Sequence, residues 1–313
     1  MFRPGEIWRD TDGLPIQAHG GGVLYDRGTY YWFGENKDGP TLPGARVDVI
    51  GVSCYSSQDL LHWKNEGVVL PAVPDDPAHN LHPSKVAERP KVIYNARTKQ
   101  YVMWLHSDTQ DYLYARTGRA VSDTPTGPYV YVGSNRPASA DSRDMTLFQD
   151  TDGTAYVIFS SGHNSLTRIA RLTDDYLDTT DAVTEVFDSG AKNSGRESPA
   201  VFQHEGRYFF IGSGCTGWSP NAAEYAVAPS PLGPWEVRGN PCAGPDAEMT
   251  FGSQNTFVLP VADKPGAFIF MADRWKMDNL QDSRYVWLPL AVEDDKLTVR
   301  WHDEWDLSVF DAK

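Results

Sequence analysis

The sequence of 313 residues carries 42 acidic against 28 basic side chains, and its formal charge of −14 disfavours nucleic acid and anionic membranes as partners and favours a neutral substrate. Its 27 Gly, 22 Pro, 10 Trp, 15 Tyr and 13 Phe are typical of short aromatic strands joined by many turns, and they predict an all-β protein. No run approaches the roughly 20 apolar residues that cross a bilayer, and the first residues lack the apolar core of a signal peptide, so we expect a soluble chain. A secreted or periplasmic location stays open, because a leader that had been removed would leave no trace in the sequence.

One pattern occurs five times along the chain: a polar residue, an apolar run, a turn rich in Asp, Gly or Asn, and a second aromatic or β-branched strand. This pattern indicates a β-hairpin, since Asp-Gly and Glu-Gly pairs tolerate the positive φ of a tight turn. In chain order the segments are HGGGVLYDRGTYYWFGE from His19, ERPKVIYNARTKQYVMWL from Glu88, RDMTLFQDTDGTAYVIFSS from Arg143, ESPAVFQHEGRYFFIGS from Glu197 and QNTFVLPVADKPGAFIFMA from Gln254.

Further strand-like runs follow most of the hairpins, such as GVSCYSS from Gly51 and EYAVAPS from Glu224. From the second segment onward the units begin roughly 55 residues apart, which is close to the size of a four-stranded propeller blade. We therefore predict one domain over residues 1–313, a five-bladed β-propeller with four-stranded antiparallel blades, whose ring the first 17 residues and the tail after Trp301 help to close. The predicted blades cover residues 19–70, 88–133, 143–177, 197–237 and 254–301. A β-sandwich with similar hairpins is the alternative.

The first residues of each inner strand of a propeller face the central axis, so equivalent positions of the five segments meet there. These positions hold His19 with Gly20, then Glu88, Asp144, Glu197 and Gln254. Carboxylates gathered in a partly dry funnel cannot all stay ionised, so one of them keeps its proton near neutral pH. Cleavage of a glycosidic bond requires such an acid to protonate the leaving oxygen. We assign Glu197 as this acid and Asp144 as the carboxylate that sets its pKa and orientation.

Two tryptophans are the best candidates for stacking on a sugar ring. Trp218 and Trp275 lie near the ends of predicted strands, where an aromatic face is accessible to a pyranose. Each has a polar neighbour in the sequence, Asn221 and Arg274 respectively, that suits hydrogen bonding to hydroxyl groups. We expect all four residues to bind substrate.

The remaining binding candidates lie at or near the axis. Arg89 either donates to sugar hydroxyls or pairs with the axial carboxylates, and His19 either contacts sugar, orients a carboxylate or binds an ion. Gly20 and Glu35 complete the set of expected substrate-binding residues. The three cysteines lack metal-ligand spacing, and the glycines after His19 lack the spacing of a phosphate-binding loop, so we predict neither a metal nor a cofactor.

The chain resembles glycoside hydrolase family 43, with the resemblance extending over all five predicted blades. It is specific at SRDMTLFQDTDGTAYVIFSS, at RESPAVF and at HGGGVLYDRGTYYWFGENK. Within that family, IQAHGGG, AERPKVIYN, FGSQNTF, MADRW and SRYVWLPL are similar to the exo-β-1,3-galactanase subfamily. The resemblance implies an inverting hydrolase that removes galactose units from the β-1,3-galactan backbone of arabinogalactan.

The same resemblance implies roles for individual residues. Glu197 matches the general acid of the family, and Asp144 matches the aspartate that modulates its pKa. Most members carry an aspartate base at the start of blade one, where this chain has His19 and Gly20. In the subfamily, a glutamine matching Gln254 positions the water and a glutamate matching Glu88 is also required. By its chemistry Glu88 is a true base, whereas a neutral amide is a poor proton acceptor; Glu88 either activates the water or binds substrate hydroxyls.

Three other functions fit the sequence less well. An α-L-arabinofuranosidase or β-xylosidase would share the fold and the acid and differ only in pocket contacts. A mannoside phosphorylase would need a basic cluster for phosphate, whereas the predicted channel is acidic. A non-catalytic carbohydrate-binding propeller is suggested by the missing blade-one aspartate, but the Asp144 and Glu197 pair argues against it. For this chain we expect an oligo- or polysaccharide partner, namely galactan, and a monomeric state.

Overall fold

Each of the five predicted hairpins forms the inner half of a separate antiparallel sheet, and the sheets surround one axis. The structure is a computed structural model that describes residues 1–311. The turn residues determine the geometry of the hairpins. Arg27 and Gly28 both have positive φ between the first two strands, β1 and β2, and Glu205 and Gly206 repeat this geometry in the fourth blade. The prediction of an all-β, five-bladed propeller with four-stranded antiparallel blades is confirmed.

In the first four blades the strands run from the axis outward in chain order, and the fifth blade has four such strands with its earliest strand added at the outer edge. Blades 1 and 2 contain β1 (His19–Asp26), β2 (Thr29–Glu35), β3 (Gly51–Ser57), β4 (Lys64–Pro71), β5 (Val86–Asn95), β6 (Gln100–Asp108), β7 (Arg116–Ser122) and β8 (Val130–Asn135). Blades 3 and 4 contain β9 (Met145–Gln149), β10 (Ala155–Ser161), β11 (Leu166–Leu172), β12 (Thr179–Val186), β13 (Glu197–His204), β14 (Arg207–Ser213), β15 (Glu224–Ala228) and β16 (Glu236–Gly239). Blade 5 contains β17 (Cys242–Ala243), β18 (Gln254–Pro260), β19 (Phe268–Arg274), β20 (Arg284–Glu293) and β21 (Lys296–Arg300).

The apolar core is divided among the five interfaces between neighbouring blades. One cluster of buried side chains fills each interface, because the two faces of every sheet pack against the sheets on either side. Trp104, for example, lies between blades 2 and 3, whereas Trp32 and Trp287 lie between blades 1 and 5. The inner strands contact one another in a closed ring, which brings the N-terminal ends of β1, β5, β9, β13 and β18 together.

Two blades differ from the predicted pattern. The third continues past residue 177, because β12 (Thr179–Val186) adds a fourth strand whose half-exposed, polar sequence carries no strong strand signal. The fifth has a fifth strand: β17, from the segment after blade 4, pairs in parallel with β21 at the outer edge. This pairing covers an edge that would otherwise be exposed.

The two ends of the chain meet between blades 1 and 5, as the sequence predicted. Phe2 and Trp305 exchange backbone hydrogen bonds of 2.7 and 3.0 Å, and their rings stack with centroids 4.2 Å apart. Both side chains belong to the apolar cluster of that interface and so seal the ring. Helical structure in residues 1–311 amounts to four short 3₁₀ turns, and none of these is long or apolar enough to cross a membrane.

Candidate active site

A repeated backbone irregularity places the axial side chains. The pairing of the inner strand shifts after His19 in β1, after Glu88 in β5 and after Glu197 in β13. In each case the following residue has positive φ: 60° at Gly20, 55° at Arg89 and 51° at Ser198. Non-glycine residues adopt this conformation only when the surrounding structure holds them there, and such strain is concentrated at functional sites. The bulges turn the preceding side chains out of the regular alternation at the end of the channel.

Glu197 lies beside Asp144 at the bottom of an open cleft of about 490 Å³. Its Oε1 accepts a hydrogen bond of 2.8 Å from Asn164, while Asp144 Oδ2 accepts from the backbone and side chain of Ser198, both at 3.0 Å. Burial and, after it, the charge of Asp144 raise the pKa of Glu197 to about 8, although Arg89 opposes the rise. Glu197 therefore holds its proton at neutral pH, as a general acid must.

Glu88 is the opposite case, a carboxylate that stays ionised. Its Oε1 accepts a hydrogen bond of 3.0 Å from the Tyr112 hydroxyl, and its Oε2 lies 3.4 Å from His106 Nδ1. Burial alone would raise the pKa of Glu88, but His106, Lys37 and Arg89 outweigh it and lower the pKa to about 2. Neighbouring carboxyl groups with pKa values on either side of neutrality are the arrangement that acid-assisted glycoside cleavage requires.

The structure accounts for the missing blade-one aspartate. A Cβ atom at Gly20 would lie 2.2 Å from Glu35 Oε1, so the carboxylate of Glu35 occupies the space that a side chain at residue 20 would need. Glu35 Oε1 accepts a hydrogen bond of 3.0 Å from the Arg89 backbone, and its Oε2 pairs with Lys37 at 2.8 Å. Burial is the main cause that raises the pKa of Glu35. The second strand of blade 1 thus supplies the carboxylate that its first strand lacks.

His19 orients a carboxylate and does not reach the cleft. It is fully buried, with Nδ1 3.1 Å from Asp273 Oδ1 and its ring stacked on Tyr285 at 4.9 Å. The Gly20 backbone donates to the other oxygen of Asp273 at 2.8 Å. His19 and Gly20, which were expected to bind substrate, therefore lie beneath the cleft and support the residues that line it.

Gln254 is fixed by hydrogen bonds at both ends of its amide. The oxygen accepts from Arg89 Nη2 at 2.6 Å and from Trp275 Nε1 at 3.1 Å, and the nitrogen donates to Ser213 Oγ at 3.0 Å. Only this amide orientation is allowed, because a flipped side chain would direct its NH₂ group at two donors. Arg89 also contacts Asp144 Oδ2 at 3.0 Å, and its Nη1 has no hydrogen-bond partner within residues 1–311. A buried, unpartnered donor at the floor of a cleft suits a substrate hydroxyl.

Two tryptophans form one wall of the cleft. Trp218 and Trp275 are half-buried and pack edge to face, with ring centroids 4.9 Å apart. Arg89 lies 5.9 Å from the centre of the Trp275 ring, and Lys37 lies 6.0 Å from the centre of the Trp218 ring. Both indole faces are near cations and border open space, the environment in which aromatic rings stack on sugars.

The structure brings eight of the twelve predicted site residues to the cleft lining. They are Glu35, Glu88, Arg89, Asp144, Glu197, Trp218, Gln254 and Trp275. Besides His19 and Gly20, the two that lie elsewhere are Asn221 and Arg274. Asn221 folds back to hydrogen-bond Gly214, and Arg274 donates to the Phe251 carbonyl and lies 5.3 Å from the Trp301 ring centre. Proximity in sequence to Trp218 and Trp275 was thus a poor guide to where these two side chains point.

Sequence reasoning missed several residues that contact the axial carboxylates. His106 is the cross-strand partner of Glu88 in the β5–β6 pair, so the hairpin register would have identified it. Lys37 follows Glu35 by two positions, and this spacing could have indicated an ion pair between the two side chains. Asn164 and Tyr112 come from loops, and no pattern in the sequence indicates their positions.

One group of side chains has the spacing of a cation site. An oxygen of Glu88, a ring nitrogen of His106 and an oxygen of Asp144 lie within 4.8 Å of one another. Both ring nitrogens of His106, however, are directed at carboxylates, Glu88 on one side and Asp108 at 2.9 Å on the other. Asp144 is likewise engaged by Arg89. The group forms an ion-pair network in which these charges compensate one another.

A propeller cleft that combines a protonated acid, fixed anions and accessible indole rings is suited to hydrolysing glycosidic bonds, and the protein is a glycoside hydrolase. The family model of Glycosyl hydrolases family 43 matches residues 16–274, and the chain belongs to that family. No curated protein matches the sequence.

Several solved structures are similar over nearly the whole chain. The GH43 beta-1,3-galactosidase BT0265 is 40% identical with a TM-score of 0.92, and the match covers 99% of this chain and 64% of that one. The beta-1,3-galactosidase BT3683, solved with galactodeoxynojirimycin, is 40% identical with a TM-score of 0.90 and coverage of 98% and 100%. A Phanerochaete chrysosporium exo-beta-1,3-galactanase variant with beta-1,3-galactotriose is 37% identical with a TM-score of 0.88 and coverage of 98% and 68%. This chain therefore spans about two thirds of two of these relatives and all of the third.

Proposed function

We propose that the protein is an inverting exo-β-1,3-galactanase, which releases galactose from the end of β-1,3-linked galactan. The observation that carries the proposal is the pairing of Glu197, whose pKa is raised to about 8, with neighbouring carboxylates that include the ionised Glu88. The galactose-directed names of the similar proteins support the choice of sugar.

Glu197 protonates the glycosidic oxygen as the bond to the anomeric carbon breaks. Asn164 holds one carboxyl oxygen of Glu197, so that the proton is directed into the cleft from the other. Asp144 keeps the acid protonated in the resting enzyme through its negative charge, and Ser198 and Arg89 fix Asp144 in place. The positive charge that develops on the sugar is stabilised by the ionised carboxylates around it.

Glu88 accepts the proton of the attacking water, and Gln254 helps to position that water. For Gln254 to act as base, its oxygen would have to carry a proton in the imidic acid form, yet that oxygen faces two N–H donors, Arg89 and Trp275. An added proton would have no acceptor there. The low pKa of Glu88 is sufficient because the water becomes strongly acidic as its oxygen bonds to the electron-poor anomeric carbon.

The substrate is tested by incubating the protein with β-1,3-galactan and with aryl glycosides of galactose, arabinose and xylose. We expect galactose to be the released sugar. Release of arabinose or xylose alone would show an arabinofuranosidase or xylosidase on the same fold. Tight binding of galactan without any reducing sugar released would show a non-catalytic binding propeller.

The assignment of the base is tested with azide, which is nucleophilic without losing a proton. In Glu88→Gln we expect hydrolysis to fall about 10²- to 10⁴-fold, the usual contribution of a general base, and azide to restore turnover with galactosyl azide as the product. Gln254→Ala serves as the comparison, since loss of a positioning group is not repaired by azide. Azide rescue of Gln254→Ala but not of Glu88→Gln would reverse the two roles.

A further inference from the structure

A buried pair of side chains, His106 and Asp108, lies behind Glu88 and outside the lining of the cleft. His106 and Asp108 are each about 1% exposed, and both lie near the end of β6. His106 Nε2 lies 2.9 Å from Asp108 Oδ2, and Asp108 Oδ1 accepts backbone hydrogen bonds from Thr109 at 2.8 Å and Ala115 at 2.9 Å. Asp108 is therefore held by the backbone, and it holds His106 in turn.

The other ring nitrogen of His106 faces the cleft carboxylate. Nδ1 lies 3.4 Å from Glu88 Oε2, at the long limit for a hydrogen bond, so the contact is chiefly an ion pair. This geometry places one imidazole between two carboxylates, which is electrostatically favourable only when the ring carries a positive charge. Burial alone would lower the pKa of His106, but Asp108 and Glu88 outweigh it and raise the pKa to about 9.

We propose that Asp108 and His106 act as a positioning pair, in which a buried imidazolium fixes Glu88 in its rotamer and keeps it ionised until it accepts the proton of the attacking water. The proposal rests on the proposed function only in taking Glu88 to be required in its ionised form. His106 does not line the cleft and so acts on substrate through Glu88.

Other charged or titratable groups also face Glu88, and they determine what His106 adds. They are Glu35 and Lys37 from blade 1, Arg89 and Tyr112 from blade 2, Asp144 from blade 3 and Glu197 from blade 4. Lys37 is neutralised mainly by Glu35, and Arg89 by Asp144. His106 contacts two carboxylates, Glu88 and Asp108, and Asp108 lies on the side of the ring away from the cleft. Without His106, only Lys37 and Arg89 would oppose the effect of burial on the pKa of Glu88.

The first test is the acid side of the pH profile of kcat/KM in His106→Gln. In the wild type we expect activity to change less than about twofold between pH 6.5 and 4, because Glu88 stays ionised. In His106→Gln the pKa of Glu88 rises, so activity at pH 4 should fall at least about tenfold relative to pH 6.5, and returning to pH 6.5 should restore it. The alkaline side, set by Glu197, should move only slightly and to higher pH, because the charge of His106 is a minor cause that lowers the pKa of Glu197.

The matched control is His62→Gln, which removes an exposed histidine from another His–Asp pair, with Asp59 at 2.7 Å, on the outer part of blade 1. We expect its profile to equal that of the wild type. A His106→Gln profile that is lowered equally at every pH, with no new acid limb, would mean that the histidine is merely structural and would overturn the proposal.

The second test needs neither a variant nor a substrate. Nitrogen NMR of the histidine side chains in the full-length wild-type protein should show both nitrogens of His106 protonated at pH 7. A neutral His106 at pH 7 would overturn the proposal even if galactan is cleaved. If His106 is protonated but the protein releases no sugar, the proposal of the charged pair stands and the proposed function is refuted.

Discussion

Replacing Asp144 by Asn should move the alkaline limit of activity to lower pH. The change removes one negative charge next to Glu197 but keeps an oxygen that can accept from Ser198. Arg89, released from its 3.0 Å pair, is then free to stabilise ionised Glu197. Burial is the largest cause of the pKa rise from 4.5 to about 8, with the charge of Asp144 next, so we expect a fall of roughly one pKa unit.

The size of this effect is easily measured. Glu197 must be protonated to act, so activity is lost as pH rises through its pKa. At pH 8 about half of the wild-type acid is protonated, against about one tenth in Asp144→Asn. The assay is kcat/KM for β-1,3-galactobiose from pH 4 to 10, with each variant scaled to its own plateau. Asp174→Asn, which affects only an exposed pair with Arg97, is the control. An unchanged alkaline limb in Asp144→Asn would refute the electrostatic role given to Asp144.

Three further predictions concern single substitutions. Glu197→Gln should lower kcat on galactan by about 10²- to 10⁴-fold and keep much of the activity on aryl galactosides, whose leaving groups need no protonation. It should also raise Tm above pH 5, because the elevated pKa of Glu197 costs the folded state up to about 5 kcal/mol once the unfolded chain ionises. Calorimetry that shows no rise in Tm would contradict this. Gly20→Ala should destabilise the fold by about 1–3 kcal/mol in denaturant unfolding, through its positive φ and its contact with Glu35, and the same change should cost less when it is made in a Glu35→Ala background. Trp218→Ala should raise KM about 3- to 10-fold with little change in kcat, and an unaltered KM would remove Trp218 from the binding wall.

The fold was predictable because its signal is local and repeated. Each inner hairpin carries its own turn residues, such as Arg27 with Gly28 and Glu205 with Gly206, so register could be inferred from short stretches. Strand β12 was missed because it is half-exposed and lacks alternating apolar residues. The parallel pairing of β17 with β21 was also unpredictable, since two residues far from their partner strand leave no pattern.

The site was predictable only as far as the symmetry of the blades extends. Equivalent positions correctly place Glu88, Asp144 and Glu197 in one cleft, because inner strands start at the same end of the axis. Contacts made by second strands and loops break this symmetry. The filling of the Gly20 space by Glu35 depends on side-chain geometry across a hairpin, and the contact of His106 with Glu88 depends on the register of another.

The most direct test of the central claim is the anomeric configuration of the first sugar released. Proton NMR of β-1,3-galactotriose, recorded before the products mutarotate, should show α-galactose and β-1,3-galactobiose appearing together, as expected when water attacks from the face opposite to Glu197. Initial formation of β-galactose would require a covalent intermediate, and longer oligosaccharides appearing from β-1,3-galactan before galactose would exclude exo-action. Either result would contradict the mechanism derived from this cleft.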